Sequence, residues 1–229
     1  MKRSEINRAI KEMEAFIAKS GMHLPPFAGF SPGDWKNSGH EWDEVRDCRL
    51  GWDITDYGKG DFAHFGFSLF TIRNGSVDMP EKYPLVYAEK LLYIKEEQYA
   101  PNHFHWAKTE DIINRGGGNL LIRVYNRLPD EGIDRESEVI VHTDGLMRTV
   151  PAGTQIRLTP GESIHVYHGM YHDFQVEKGS GPVLIGEVSQ VNDDEHDNCF
   201  YPPVGRFPTI EEDEAPYRLL CFEYPEAGR

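Results

Sequence analysis

The clearest helical spacing lies near the amino end, where Ile6, Ala9, Ile10, Met13, Phe16 and Ile17 recur at intervals of three and four. That spacing predicts a helix over residues 4–20, with Ser4 as its cap and Gly21 as its stop. Such a stripe needs a partner surface, either the rest of this chain or a second subunit. The next segment is rich in turns. Ser31-Pro32-Gly33 reads as the cap and first turn of a short helix, and 41–48 as another. From residue 49 the pattern changes to short runs of β-branched and aromatic residues separated by Gly, Pro and Asp. Strands are expected over 51–54, 65–72, 88–96, 101–107, 119–126, 138–142, 154–158, 163–167, 171–177, 182–189 and 217–223. Asn74-Gly75 reads as a hairpin turn. Many short strands with frequent turns predict an all-β-dominated jelly roll or barrel carrying an N-terminal helical extension. No linker, repeat or low-complexity tract divides the chain. The expectation is one domain over 1–229, helical over 1–50 and a β-barrel over 51–229.

One of these strands carries chemistry. His103-Phe104-His105 places two imidazoles on one face of an extended segment, because alternate side chains of a strand share a face. Glu110 follows five residues after the second histidine, beyond a turn that can fold it back toward the pair. Two imidazoles and a carboxylate make most of a divalent metal site. Gly116-Gly117-Gly118 can supply the positive φ angles of a tight turn. A further ligand is sought in the later turn-rich stretch, where His165, His168 and His172 compete.

The spacing resembles the cupin family, and that resemblance chooses among the three. The first cupin motif aligns with His103, His105, Glu110 and Gly117, and the second with Gly161, Gly169 and His172. Glu97 stands where the first motif has glycine, and Tyr167 where the second has proline. Gln175 stands where the second motif ends in asparagine, and all three departures fall on turn and packing positions, not on ligands. The resemblance implies a double-stranded β-barrel and a metal held by His103, His105, Glu110 and His172, with His165 and His168 as strand or rim residues.

Within the cupins, the run from His103 through Lys108-Thr109-Glu110-Asp111 to Gly118, and Gly186-Glu187-Val188-Ser189-Gln190-Val191-Asn192-Asp193-Asp194, resemble the D-lyxose ketol-isomerases. The resemblance implies interconversion of D-lyxose and D-xylulose, and of D-mannose and D-fructose, with Mn2+ as the preferred ion and Zn2+, Co2+, Fe2+ or Ni2+ as other possibilities. Hydrogen can move between C1 and C2 as a hydride or by proton transfer through an enediolate; the proton route needs a base, and Glu187 on a strand is the candidate. Lys108, between His105 and Glu110, is the candidate to stabilise an oxyanion or relay a proton. Lys90 and Asp111 are further candidates. The structural alternative for Glu187 is a salt-bridged strand residue, and for Lys108 a surface ion pair. Competing functions on the same barrel are an iron-dependent cupin dioxygenase and a non-catalytic sugar-binding cupin.

Composition narrows the partners. A formal charge of −14 argues against nucleic acid and anionic membranes and fits a neutral monosaccharide. Three widely spaced cysteines form no disulfide framework or zinc knuckle. The amino end lacks the apolar stretch of a secretory signal, so the cytoplasm is the expected location. A homodimer is the expected assembly.

Overall fold

The computed structural model describes residues 1–227. Three α-helices lead the chain: α1 (Arg3–Lys19), α2 (Pro32–Asn37) and α3 (Asp43–Asp47). Fourteen strands follow. Eight of them, β1 (Gly51–Thr55), β2 (Phe67–Arg73), β3 (Tyr87–Ile94), β13 (Val183–Gln190), β5 (Glu110–Gly117), β11 (Ser163–Val166), β8 (Val139–Thr143) and β9 (Leu146–Val150), form one sheet in that spatial order. The opposing sheet runs β10 (Gln155–Leu158), β6 (Leu120–Arg127), β12 (Tyr171–Val176), β4 (Tyr99–Phe104) and β14 (Cys199–Phe200), with β7 (Ile133–Asp134) paired to β6. Every ladder between these strands is antiparallel. Two facing antiparallel sheets joined by crossovers are the double-stranded barrel that the motifs implied.

Two apolar layers hold this arrangement. Inside the barrel, Leu69, Leu92, Ile112, Ile122, Phe174 and Ile185 pack between the sheets. Outside it, the α1 stripe buries Ile6, Ile10, Met13 and Ile17 against Trp52, Ile54, Phe70, Leu91 and Leu184 on the outer face of the large sheet. Each such side chain contributes roughly 1.5–3 kcal/mol when fully buried. The helix therefore covers its own barrel. Its cap differs from expectation: Lys2 occupies the N-cap without a side-chain bond, while the Ser4 hydroxyl and amide bind Asp213. A carboxyl-terminal strap at 211–214 thus satisfies the helix start in place of a local cap. Ser31 does cap α2, in a reciprocal box with Asp34.

Two strand-level expectations are corrected. Asn74-Gly75 is not a tight hairpin, since β2 and β3 are joined by a long loop. Asn74 is buried, its side chain bonding the backbone of Asn192 and Cys48, and this tertiary use displaces the local turn. Residues 217–223 form no strand. Leu220 makes one isolated bridge to Trp52 and packs into the outer layer under α1. The expected metal-motif turn does hold: Gly117 links the two sheets at φ +96°, where a Cβ would overlap the Pro182 carbonyl oxygen.

Candidate metal centre and its charged wall

At one end of the barrel interior three histidines converge. His103 comes from β4 and His172 from its neighbour β12, paired directly across the ladder. His105 lies just past the end of β4. Each ring is fixed from behind by a backbone carbonyl: His103 Nδ1 is 2.9 Å from Pro101 O, His105 Nδ1 2.7 Å from Asp197 O, and His172 Nδ1 3.1 Å from Met170 O. A carbonyl only accepts, so each Nδ1 carries the proton and each Nε2 presents a lone pair. One ligand atom from each of the three rings can be chosen so that all lie within 4.8 Å of one another.

Glu110, the first residue of β5, completes the group. Its Oε1 lies 3.1 Å from His172 Nε2 and its Oε2 3.5 Å from His105 Nε2. The Nε2 atoms of His105 and His172 are buried and have no hydrogen-bond partner. In the tautomer with its proton on Nδ1, each of these Nε2 lone pairs faces the Glu110 carboxylate, an arrangement of acceptors against acceptors that a bound cation would resolve. The donor set and the backbone-oriented rings fit a divalent ion with mixed N/O ligation. Burial, together with His172 and His105, holds the His103 ring well below the usual histidine range, which keeps it neutral and able to ligate. Burial pushes the Glu110 carboxyl up, but the Lys108 ammonium 2.6 Å away pulls harder and holds it well below the ordinary range.

Beside this group runs an alternating row of charges. Lys108 Nζ is 2.6 Å from Glu110 Oε2 and 3.1 Å from Glu187 Oε1, and it also donates to Asn192 Oδ1 at 2.9 Å. Lys90 Nζ stands 3.8 Å from Glu187 and 3.3 Å from Asp194. Arg206 Nη2 then bridges Asp194 at 3.1 Å and Asp53 at 2.6 Å. Burial lowers the affinity of Lys108 for its proton, yet Glu110, Glu187 and Asp194 outweigh that and hold it above the ordinary lysine range. The histidines His103 and His105, Glu110, Lys108 and Glu187 line one cavity, floored by Leu69, Leu92 and Phe174. A wider groove between 76–86 and 190–197 meets it at Lys108.

The four residues named as ligands from the motifs are thus brought together, and so are Glu187, Lys108 and Lys90. Asp111 is not: it follows Glu110 on β5, points to the outer face and bonds His165 at 2.8 Å. Of the nearby aromatics, Phe174 lines the cavity, whereas Phe104 packs outside the small sheet and Trp106 bonds Glu131. Asn192, Asp194, Asp197 and Arg206 were missed as site residues. The first three lie in the run after β13 that the resemblance quoted or adjoined. Arg206 sits on an irregular segment that gives no periodic signal.

A two-sheet barrel whose interior ends in a histidine–carboxylate group, walled by buried acid–base pairs, is the architecture that the cupin motifs implied. Its family follows from comparison. The D-lyxose isomerase family model matches residues 1–224. A D-lyxose/D-mannose isomerase of Serratia proteamaculans is 49% identical over 225 residues, covering 98% of both chains. One of Escherichia coli O157:H7 is 48% identical over 226 residues, again covering 98% of each. The chain belongs to the D-lyxose isomerase family and is a sugar isomerase. L-ribose isomerase structures from Cellulomonas parahominis (with L-ribose; TM-score 0.59, 15% identity, 92% of this chain and 98% of that one) and Geodermatophilus obscurus (0.57, 14%, 91% and 98%) share its fold. Among the described residues no helix is long and apolar enough to cross a membrane.

Proposed function

We propose that this protein interconverts D-lyxose with D-xylulose and D-mannose with D-fructose, using a divalent ion held by His103, His105, Glu110 and His172. Manganese is the first choice of ion, because the mixed nitrogen and oxygen donors suit it and the family resemblance points to it. When bound, the ion supplies Lewis acidity toward the sugar oxygens at C1 and C2. Glu187 takes the proton from C2, exchanges it with solvent and delivers a proton to C1, while a second proton passes from O2 to O1. Lys108 donates to the oxygen that gains negative charge during this transfer. Asn192 and Glu110 fix the ammonium so that little reorganisation is needed. The observation that carries this reading is that Glu187, His103, His105 and Glu110 line one cavity, with Lys108 linking the two carboxylates. A homodimer is the proposed assembly and the cytoplasm the proposed location.

The test is an isomerisation assay of Mn2+-loaded protein with D-lyxose and D-mannose, beside Glu187→Gln. The variant is expected to keep its metal and lose about 10²–10⁴-fold in kcat. Product formed in D2O should carry deuterium at C1. Full turnover by Glu187→Gln removes Glu187 as the base, and complete absence of deuterium removes the proton route.

A further inference from the structure

The charged row does more than fix Lys108. It leads away from the histidines: Lys108 touches Glu110, Lys90 lies beyond Glu187, and Arg206 lies beyond Asp194. Arg206 still lines the same cavity as His103 and Glu187. It is fastened on several sides. Its Nη2 is shared by Asp53 and Asp194, its Cζ lies 5.0 Å from the Phe207 ring centroid, and its carbonyl accepts from Thr55 Oγ1 at 2.6 Å. Its Nη1 is nevertheless buried without any hydrogen-bond partner. A guanidinium is a rigid fork of N–H donors and carries no acceptor, so a buried, unpartnered end is costly unless something else fills it. A hydroxyl oxygen of a bound sugar is an acceptor suited to that unpartnered end of the fork.

We propose that Arg206 is a substrate-binding residue that grips a hydroxyl oxygen at the end of the open-chain aldose remote from the histidines, and so sets the sugar length that is turned over. The inference rests on the isomerase reading, since that reading places C1 and C2 at the histidine end. The rigid clamp by Asp53 and Asp194 makes Arg206 a fixed stop instead of a flexible arm. A pocket built to bond a hydroxyl discriminates strongly against sugars that lack one there.

The experiment compares wild type with Arg206→Lys, which keeps the charge but not the fork, and with the charge-balanced pair Asp53→Asn/Arg206→Gln. Each Mn2+-loaded protein is assayed on D-lyxose, D-mannose and a four-carbon aldose of the same C2 and C3 configuration, with metal content and melting temperature measured in parallel. For the five- and six-carbon sugars KM is expected to rise about 10- to 100-fold, the loss of one charge-assisted hydrogen bond, with kcat within about threefold. The kcat/KM for the four-carbon sugar should not change, so the preference for longer sugars collapses. An equal loss on all three sugars assigns Arg206 a structural role and overturns the inference, as does an unchanged KM for D-lyxose. Wild-type protein that isomerises no aldose overturns the isomerase reading itself, and the inference with it.

Discussion

Replacing Lys108 with Met tests the electrostatics of the site independently of turnover. The substitution keeps the length of the chain and removes a buried ammonium that lies 2.6 Å from one buried carboxylate and 3.1 Å from another. At an effective dielectric of about 20, those contacts amount to gross attractions of roughly 6 and 5 kcal/mol. Desolvation of the ions offsets much of this, and breaking a buried pair from one side typically costs about 3–5 kcal/mol. For a chain of this size that corresponds to a fall of roughly 6–20 °C in melting temperature. Urea denaturation of metal-free protein is the assay. The deficit should grow with pH, because a carboxylate stranded without its cation has a raised folded pKa, and stability is then lost as pH rises above the unfolded value. Adding Glu187→Gln to Lys108→Met should restore part of the loss, since the stranded charge goes with it, giving a coupling of about 1–3 kcal/mol. Excess divalent ion should narrow the gap by taking over the neutralisation of Glu110. A Lys108→Met protein as stable as wild type, or strict additivity with Glu187→Gln, would refute the picture of a mutually neutralised buried row.

Further predictions concern acid sensitivity and the loop behind His105. The depressed folded pKa of His103 means that metal-free protein binds more protons unfolded than folded below about 6.5, so stability falls as pH drops through that value, by up to about 1.4 kcal/mol per unit from this group. Denaturation of metal-free protein at pH 7.5, 6 and 5 checks it, and a flat profile contradicts it. Asp197 accepts the backbone N–H groups of Ala107 and Lys108, each at 2.9 Å, while its carbonyl accepts from His105 Nδ1. Asp197→Ala should loosen that loop and weaken metal binding about 10- to 100-fold in a chelator competition; unchanged affinity would show that the ring is held without it.

Three of the four candidate metal ligands were legible from local geometry, and the cupin resemblance chose the fourth, His172, over His165 and His168. His103 and His105 share a face by strand alternation, and Glu110 and His172 sit at motif distances that turns can close. Alternation along β13 also placed Glu187 on a strand, and the structure turns it inward. The same logic failed when proximity in sequence was read as proximity in space: Asp111 neighbours Glu110 but faces the other way, toward His165. Arg206 was out of reach for a different reason. It meets Asp53 across a separation of 153 residues, from a segment without strand or helix periodicity. Asn74-Gly75 and 217–223 misled because local propensity was overridden by tertiary use, a buried amide bonding Asn192 in one case and packing under α1 in the other.

The position of the charged row follows from the barrel itself. On four strands an inward polar residue is separated by one alternation from an inward apolar one: Lys90 and Leu92 on β3, Glu110 and Ile112 on β5, His172 and Phe174 on β12, Ile185 and Glu187 on β13. With a period of two, that single step produces a polar layer resting on an apolar floor in both sheets. The floor closes the barrel from below, so the charges above it are cut off from water on that side and must be satisfied by one another, by an ion or by substrate. Neighbouring strands then decide which charges meet. β13 lies between β3 and β5, so Glu187 sits opposite Lys90 on one side and Ile112 on the other, while Ser189 sits opposite Glu110. The acid–base wall therefore belongs to the large sheet, and His103 and His172 to the small one facing it. In the proposed reaction a sugar between them would meet the ion-binding histidines and the proposed base, Glu187, largely from opposing sheets, whose separation is set by the same Leu92, Phe174 and Ile185 packing that stabilises the fold.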